Sequence, residues 1–314
     1  MSKLTDKVVL VTGGSGNIGS YIVERILERN PKQVVIVDNL FNSDKRNLPK
    51  DYRIVFYSVD ISELESMEYI FNKHRPEYVF HVASMLIQDS EVLPRKAIGT
   101  NILGTYNIVD LSNKYGVKKI CYSSSASVYG EPKYLPVDEE HPFQYKNFVY
   151  GWTKITAEMI FLANSNVEWI GFRYYNVYSE RMRVGAFYTQ VIPIFYNKIV
   201  AGEPITVYGD GSQTMDLIHA KDIAWANILG LESDVTREFF NVGTGIETSV
   251  KELAYFLMKE IGATVQIKYI PEDTQKVKNR RAATEKIKKF LNFEPTITVA
   301  AGLKRYVESR RDHK

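Results

Sequence analysis

The segment Tyr150-Gly-Trp-Thr-Lys154 sets a phenol and an ammonium four residues apart, which on a helix places both on one face. An ammonium beside a phenol lowers its pKa, and a tyrosinate formed near neutral pH can act as a general base. The spacing alone says little, since it also occurs at Tyr69/Lys73, Tyr115/Lys119, Tyr129/Lys133 and Tyr255/Lys259. Context separates these pairs. Tyr150 stands 25 residues after Ser125, in the polar run Ser123-Ser124-Ser125-Ala126-Ser127 that leaves the stretch Lys119 to Tyr122. A hydroxyl at a strand end and a tyrosine on the next helix can converge on one substrate oxygen. Ser123 and Ser124 read as a cap or turn cluster. Ser125 is the candidate catalytic hydroxyl.

Such groups need a scaffold and a redox partner, and residues 11–19 supply the signal for both. The run Val8-Val9-Leu10 leads into Val-Thr-Gly13-Gly-Ser-Gly16-Asn17-Ile18-Gly19, followed by an amphipathic segment to Glu28. Gly13 permits a tight turn, Gly16 lets the backbone approach a pyrophosphate, and Gly19 lets the helix pack closely. The helix N-terminus then faces the phosphates. A second apolar strand, Gln33 to Val37, ends at Asp38, 19 residues beyond Gly19. A carboxylate there accepts adenosine ribose hydroxyls and repels a 2′-phosphate, which favours NAD over NADP. Lys45 and Arg46 could serve a 2′-phosphate, but Asp38 holds the strand end. A third strand ends in Asp60-Ile61, a suitable place for the adenine amine. The positive nicotinamide ring would acidify Tyr150 further.

Strands are expected at 7–12, 33–38, 53–59, 78–83, 118–124 and 167–174, with helices at about 17–29, 62–74, 95–115 and 150–164. This alternation predicts an α/β fold, a Rossmann-type doubly wound parallel sheet with ligands beyond the carboxyl ends of its strands. After Arg173 proline and glycine punctuation rises and the alternation breaks. The expected division is a dinucleotide-binding domain of 1–175 and 216–245, with a smaller interleaved C-terminal α/β substrate lobe of 176–215 and 246–314.

The 314 residues carry 40 basic and 37 acidic side chains, and a net charge of +3 gives no electrostatic footprint for nucleic acid. Cys121 is the only cysteine, so no internal disulfide forms, as suits a reducing cytoplasm. No secretory h-region and no 18-residue apolar run exists, so a soluble chain without a membrane partner is expected. The five histidines show no ligand spacing, and no metal site is expected.

Taken together, these segments resemble the extended short-chain dehydrogenases/reductases, specifically the NAD-dependent nucleotide-sugar epimerase/dehydratase group that includes the UDP-glucose and UDP-N-acetylglucosamine 4-epimerases. The resemblance covers nearly the whole chain. Beyond Gly13/Gly16/Gly19 and Tyr150/Lys154, it rests on Asp38-Asn39-Leu-Phe-Asn42-Ser43, Asp60-Ile61, His81-Val82-Ala83-Ser84, Asn101-Ile-Leu-Gly-Thr105, Arg173-Tyr174-Tyr-Asn176, and Gly209 to Thr214 followed by Asp216-Leu-Ile-His219. It implies that Ser125, Tyr150 and Lys154 are the catalytic set and that NAD is the cofactor. Asp38, Asn39, Asn42, Ser43, Asp60, Ile61, Val82, Ala83, Ser84 and Asn101, with Asn17, Ile18, Ser123 and Tyr174, would then lie on the cofactor side. Asn176 and Tyr208 would face the substrate.

The family's 4,6-dehydratases carry an acidic pair after the catalytic hydroxyl, and its decarboxylases a glutamate two residues after it. Here Ala126 and Ser127 stand there. The resemblance therefore implies a 4-epimerase acting on a UDP-hexose or UDP-N-acetylhexosamine through a transient 4-keto sugar. A dehydrogenase or ketoreductase using the same residues is the alternative, and a dinucleotide-sensing protein a remote one. Many relatives have an arginine where this chain has Met215, and Ser179-Glu180 replaces a more usual Gly-Pro. Lys278, Arg280, Arg281, Arg181 and Arg183 are the candidates for the diphosphate, with Arg183, Lys278 and Arg281 preferred. The helices at about 97–115 and 150–164 carry apolar stripes that would bury against the sheet, and the resemblance adds a homodimer through a four-helix seam.

Overall fold

The computed structural model describes residues 2–144, 148–182, 191–271 and 278–311. Runs rich in β-branched and aromatic residues form strands β1 (Val8–Thr12), β2 (Gln33–Val37), β3 (Ile54–Tyr57), β4 (Tyr78–His81), β5 (Lys119–Ser125) and β6 (Glu168–Tyr174). They are followed by β7 (Asn176–Tyr178), β8 (Ile205–Tyr208), β9 (Thr214–His219), β10 (Glu238–Val242), β11 (Glu247–Ser249) and β12 (Ile267–Ile270). One sheet has the order β10-β6-β5-β4-β1-β2-β3, and each of its pairings is parallel. A parallel sheet is covered on both faces, which is why its strands are apolar throughout rather than alternating. Val9, Leu10, Val11 and all of Val34, Val35, Ile36 and Val37 are fully buried.

Helices Gly19–Leu27 and Ala220–Glu232 cover one face, and Leu64–His74, Thr105–Tyr115 and Val149–Asn164 the other. The strand order reverses between β1 and β4, and there the chain leaves a crevice beyond the strand ends. The six expected strands are all present, and the sheet gains a seventh, β10, beside β6. The return to the large sheet begins only after His219. Strand β9 pairs instead with β7 and β11 in a three-stranded sheet.

A second core gathers helices Val191–Val200, Val250–Ile261 and Val299–Arg311 with β8. Two buried carboxylates stitch it to the first. Asp216 accepts from the N–H groups of Thr244, Gly245 and Ala282 and from the Thr244 hydroxyl. Asp222 likewise holds Thr296 and Ile297. Ile287, Leu291 and Phe293 belong to the core of the large sheet.

The helix expected at 95–115 is interrupted. Residues Ile98–Gly104 wind as a π segment between Pro94–Ala97 and Thr105–Tyr115. A Cβ at Gly104 would come within 2.6 Å of Ile61 Cγ1, so glycine permits the approach of this helix to the Asp60-Ile61 turn.

His81, at the end of β4, ties these layers together. Its Nδ1 lies 2.8 Å from Thr12 Oγ1 and its Nε2 2.9 Å from Thr105 Oγ1. The Thr105 hydroxyl donates to Asn101 O, so the consistent assignment has Nε2–H donating and Nδ1 accepting. Burial, with the nearby Lys154 charge, pushes the imidazole pKa down to about 3. An unfolded histidine takes up its proton near pH 6.5, so between those values the unfolded chain holds the extra proton. Folding stability therefore falls as pH drops through that window. His81→Gln should flatten the acid side of the stability curve, measured as urea midpoints across that range. Parallel curves for the two proteins would contradict this.

Candidate active site

A cleft of about 890 Å³ runs beyond the strand ends, from the glycine turn to Tyr208, Lys278 and Arg280. At its first end, Gly13 has φ +66°, and a Cβ there would lie 2.7 Å from the Ala83 nitrogen. A Cβ at Gly19 would strike the Gly13 carbonyl oxygen at 2.1 Å. At Gly16 the nearest atom would be that same oxygen at 3.2 Å. The glycines thus keep a trough walled by backbone, which side chains would fill. Gly13, Gly16, Asn17, Ile18 and Gly19 all line it.

Asp38 stands where the first two strands open, only 6% exposed, and accepts from Ser15 N–H, Leu40 N–H and the Ser43 hydroxyl. Asn39 donates to Asp60, and Asn42 to Asp89. Asp38, Asn39, Asn42 and Asp60 line the same end with Ser43, Ile61, Val82, Ala83 and Ser84. A backbone trough closed by a carboxylate fits a dinucleotide with a free 2′-hydroxyl. Lys45 stacks on Phe56 and Arg46 pairs with Asp44, so both basic side chains are turned elsewhere.

Ser125 and Tyr150 open on the middle of the cleft. Ser125 ends β5 and caps the short turn Ala126–Tyr129, its Oγ accepting from Ser127 N–H at 3.1 Å. Tyr150 sits in the first turn of helix Val149–Asn164 and is 7% exposed. Phe148 cannot cap that helix. Glu91 does so from another element, accepting from Val149 N–H at 2.7 Å. Gly151 brings helix and turn together, because a Cβ there would lie 2.9 Å from the Ser127 carbonyl oxygen. The sequence reading passed over Gly151, although its place beside Tyr150 was the available signal.

Lys154 lies behind the wall. Its ammonium donates to Ser123 O at 2.8 Å and stands 5.7 Å from the Tyr150 ring centroid. Burial draws its pKa down to about 7, opposed by the charge of Glu158. Ser123 is also set back, its hydroxyl 3.0 Å from the Tyr174 hydroxyl, while Tyr174 reaches the cleft. Asn101 is another residue behind the lining. Its amide joins Ser84 and Met85, on the cleft wall, to Thr153 on the Tyr150 helix. Thr100 lines the cleft instead.

At the far end Asn176 lines the cleft, and its Oδ1 is buried without a hydrogen-bond partner among the described residues. Tyr208, Met215, Lys278 and Arg280 line it as well. Arg281 does not, because its guanidinium points to Glu247, 3.6 Å away. Arg181 is turned onto the first helix, where it stacks on Tyr21 and bonds Ser20 and Glu24. Arg183 lies outside the described residues. Ser179 bonds Asn17, and Glu180 accepts from Tyr21 and pairs with His219, so the Ser-Glu pair staples this loop to the glycine-turn helix. Lining residues that the sequence reading missed include Met85, Ile192, Phe195, Gln213 and Thr214.

Among the described residues no group of three or more His, Cys, Asp or Glu side chains could hold a metal ion. No helix among them is long and apolar enough to cross a membrane.

The sequence pattern of the NAD dependent epimerase/dehydratase family matches residues 9–243. The chain is 34% identical to the UDP-glucose 4-epimerase of Thermotoga maritima, whose crystal structure with UDP-glucose superposes with a TM-score of 0.91 over 98% of this chain and 99% of that one. The UDP-glucose 4-epimerase of Bacillus subtilis is 30% identical, covering 91% of each chain. A UDP-N-acetyl-alpha-D-glucosaminuronate decarboxylase of Bacillus cytotoxicus is 29% identical over 98% of each. With the backbone trough, the carboxylate at its end and the Ser125–Tyr150 cleft backed by Lys154, this match leads to one conclusion: the chain belongs to the NAD-dependent epimerase/dehydratase family.

Proposed function

We propose that this protein is a nucleotide-sugar 4-epimerase acting on a UDP-hexose or UDP-N-acetylhexosamine, with Ser125, Tyr150 and Lys154 as its catalytic residues. The observation that carries the reading is that Ser125 and Tyr150 face one cleft while the residue two beyond Ser125 is Ser127. The family's dehydratases and decarboxylases carry an acidic group just after the hydroxyl, and here Ser127 stands there and accepts from Ser125 instead. Simple reversible oxidation needs no such group.

The glycine turn and Asp38 would hold NAD, which would supply the hydride acceptor and donor. Tyr150 takes the proton of the sugar 4-hydroxyl and gives it back once the keto sugar has presented its other face. Ser125 holds the 4-oxygen by hydrogen bond through both half-reactions. Lys154 and the N-terminal end of the Tyr150 helix favour the phenolate. Lys278 and Arg280 supply charge for the diphosphate, with Tyr208 and Asn176 placed toward nucleotide and sugar. Residues 1–175 with 216–245 serve as the cofactor half and the remainder as the substrate half.

The helices beside the cleft leave large apolar side chains half exposed: Ile98, Leu103 and Tyr106 on one, Met159 and Leu162 on the other. We read these as a two-fold seam with a second copy.

Incubated with UDP-galactose or UDP-N-acetylgalactosamine and NAD, the protein should bring the 4-epimers to equilibrium, followed by NMR, without stoichiometric NADH. Accumulating NADH with a keto sugar would move the assignment to a dehydrogenase. Tyr150→Phe should lower the rate by about 10²–10⁴-fold with the cofactor still bound. Light scattering should give a dimer mass, and Leu103→Glu with Leu162→Glu a monomer; a monomeric wild type would remove the seam.

A further inference from the structure

Behind the wall that carries Ser125 lies an ion pair that the proposed chemistry leaves unused. Glu158 is fully buried and Arg173 is 4% exposed. Arg173 Nε donates to Glu158 Oε1 at 3.0 Å and Nη2 to Oε2 at 2.8 Å. The Ser124 hydroxyl also donates to Oε1. The third arm of the guanidinium, Nη1, donates to the Tyr129 hydroxyl and to the Glu139 carbonyl oxygen. Tyr129 in turn donates to Asn241 Oδ1 on β10. Every atom of the pair is satisfied, which is the condition under which buried charges persist.

Stability does not account for the pair, since a well-packed apolar substitute is often as stable. Its location suggests a different role. Glu158 is one turn beyond Lys154 on the helix that carries Tyr150 in its first turn, and Ser124 immediately precedes Ser125. One carboxylate thus grips both elements that must present reacting groups to the same oxygen. We propose that Glu158 is the positioning residue of this site: it locks the Ser125 strand end to the Tyr150 helix and supplies the buried negative charge that retains the Lys154 ammonium.

The surroundings of that ammonium support the electrostatic half. His81 faces it from β4, Tyr122 and the Ser123 carbonyl from β5, and Arg173 and Tyr174 stand on β6. Tyr150 and Glu158 share its own helix. Among these described groups Glu158 is the carboxylate. It works against the desolvation that draws Lys154 down to about 7. Glu158→Gln keeps the shape and an acceptor for Ser124 but leaves Arg173 as an unanswered positive charge. Both changes push Lys154 toward its neutral form.

The kinetic part of the test rests on the epimerase reading, whereas the titration part does not. In full-length NAD-loaded protein labelled with 13C-lysine, the Lys154 resonance is assigned by its loss in Lys154→Met. Its midpoint should fall by about one pH unit in Glu158→Gln. The alkaline limb of kcat/KM for UDP-galactose should move down with it. Ser124→Ala, which removes one hydrogen bond and leaves the pair, should lower kcat about tenfold with KM nearly unchanged. An unmoved Lys154 midpoint in folded Glu158→Gln overturns the proposal, as does an unchanged kcat in Ser124→Ala. If Glu158→Gln does not fold, the Ser124→Ala result decides. A wild type that turns over no UDP-hexose removes the functional reading, and the Lys154 titration still decides this one.

Discussion

A lysine taken wholly out of water is the constraint around which the centre of this molecule is arranged. An unpaired ammonium in an apolar interior is expensive, and the chain meets the cost with one carbonyl, one nearby carboxylate and aromatic faces. The carbonyl and the Tyr122 ring come from β5, the carboxylate from the lysine's own helix, and that carboxylate is held in turn by Arg173 of β6, so the charge is held only if β5, β6 and the Tyr150 helix are all in register. The glycine at 151 and the interlocked Ser124, Glu158 and Arg173 side chains are the contacts that enforce this register.

The reversal of strand order between β1 and β4 opens the crevice, and the glycine turn and the β5 end lie along the same edge of the sheet with β4 between them. The second core brings Tyr208, Lys278 and Arg280 to the opposite wall. It is connected to the large sheet by few covalent crossings, and the buried carboxylates of Asp216 and Asp222 give those crossings definite geometry. Ser179, Glu180 and Arg181 add a clasp from that side onto the helix that follows the glycine turn. Both ends of a long ligand are thereby addressed by one connected frame.

The sheet was legible because a parallel strand buried on both faces must be an unbroken apolar run, and because the glycine turn imposes a strand before it and a helix after it. The candidate site was legible where chemistry is tied to a strand end or to helical spacing, as at Asp38, Ser125, Tyr150 and Lys154. It was illegible where only a phase decides. Arg280 and Arg281 are adjacent in extended chain, so one faces the cleft and the other away, and composition does not say which. Thr100 and Asn101 exchange places for a similar reason, inside a winding no periodicity announced. Glu158 and Arg173 are 15 residues apart on different elements, each reading as an ordinary charge until the fold buries them together.

That winding reaches further than the residue it turns inward. A π bulge lodges one surplus residue in a helix, and each residue of an α-helix advances about 100° around its axis. Everything from Thr105 onward is therefore rotated by that angle relative to an uninterrupted spiral from Pro94. Loss of a single residue between Ile98 and Gly104 would let the coil relax, swing Asn101 off Met85, and carry Tyr106 away from its outward bearing in the same motion. An internal anchor and an external profile are thus indexed to one another by a lone inserted amino acid.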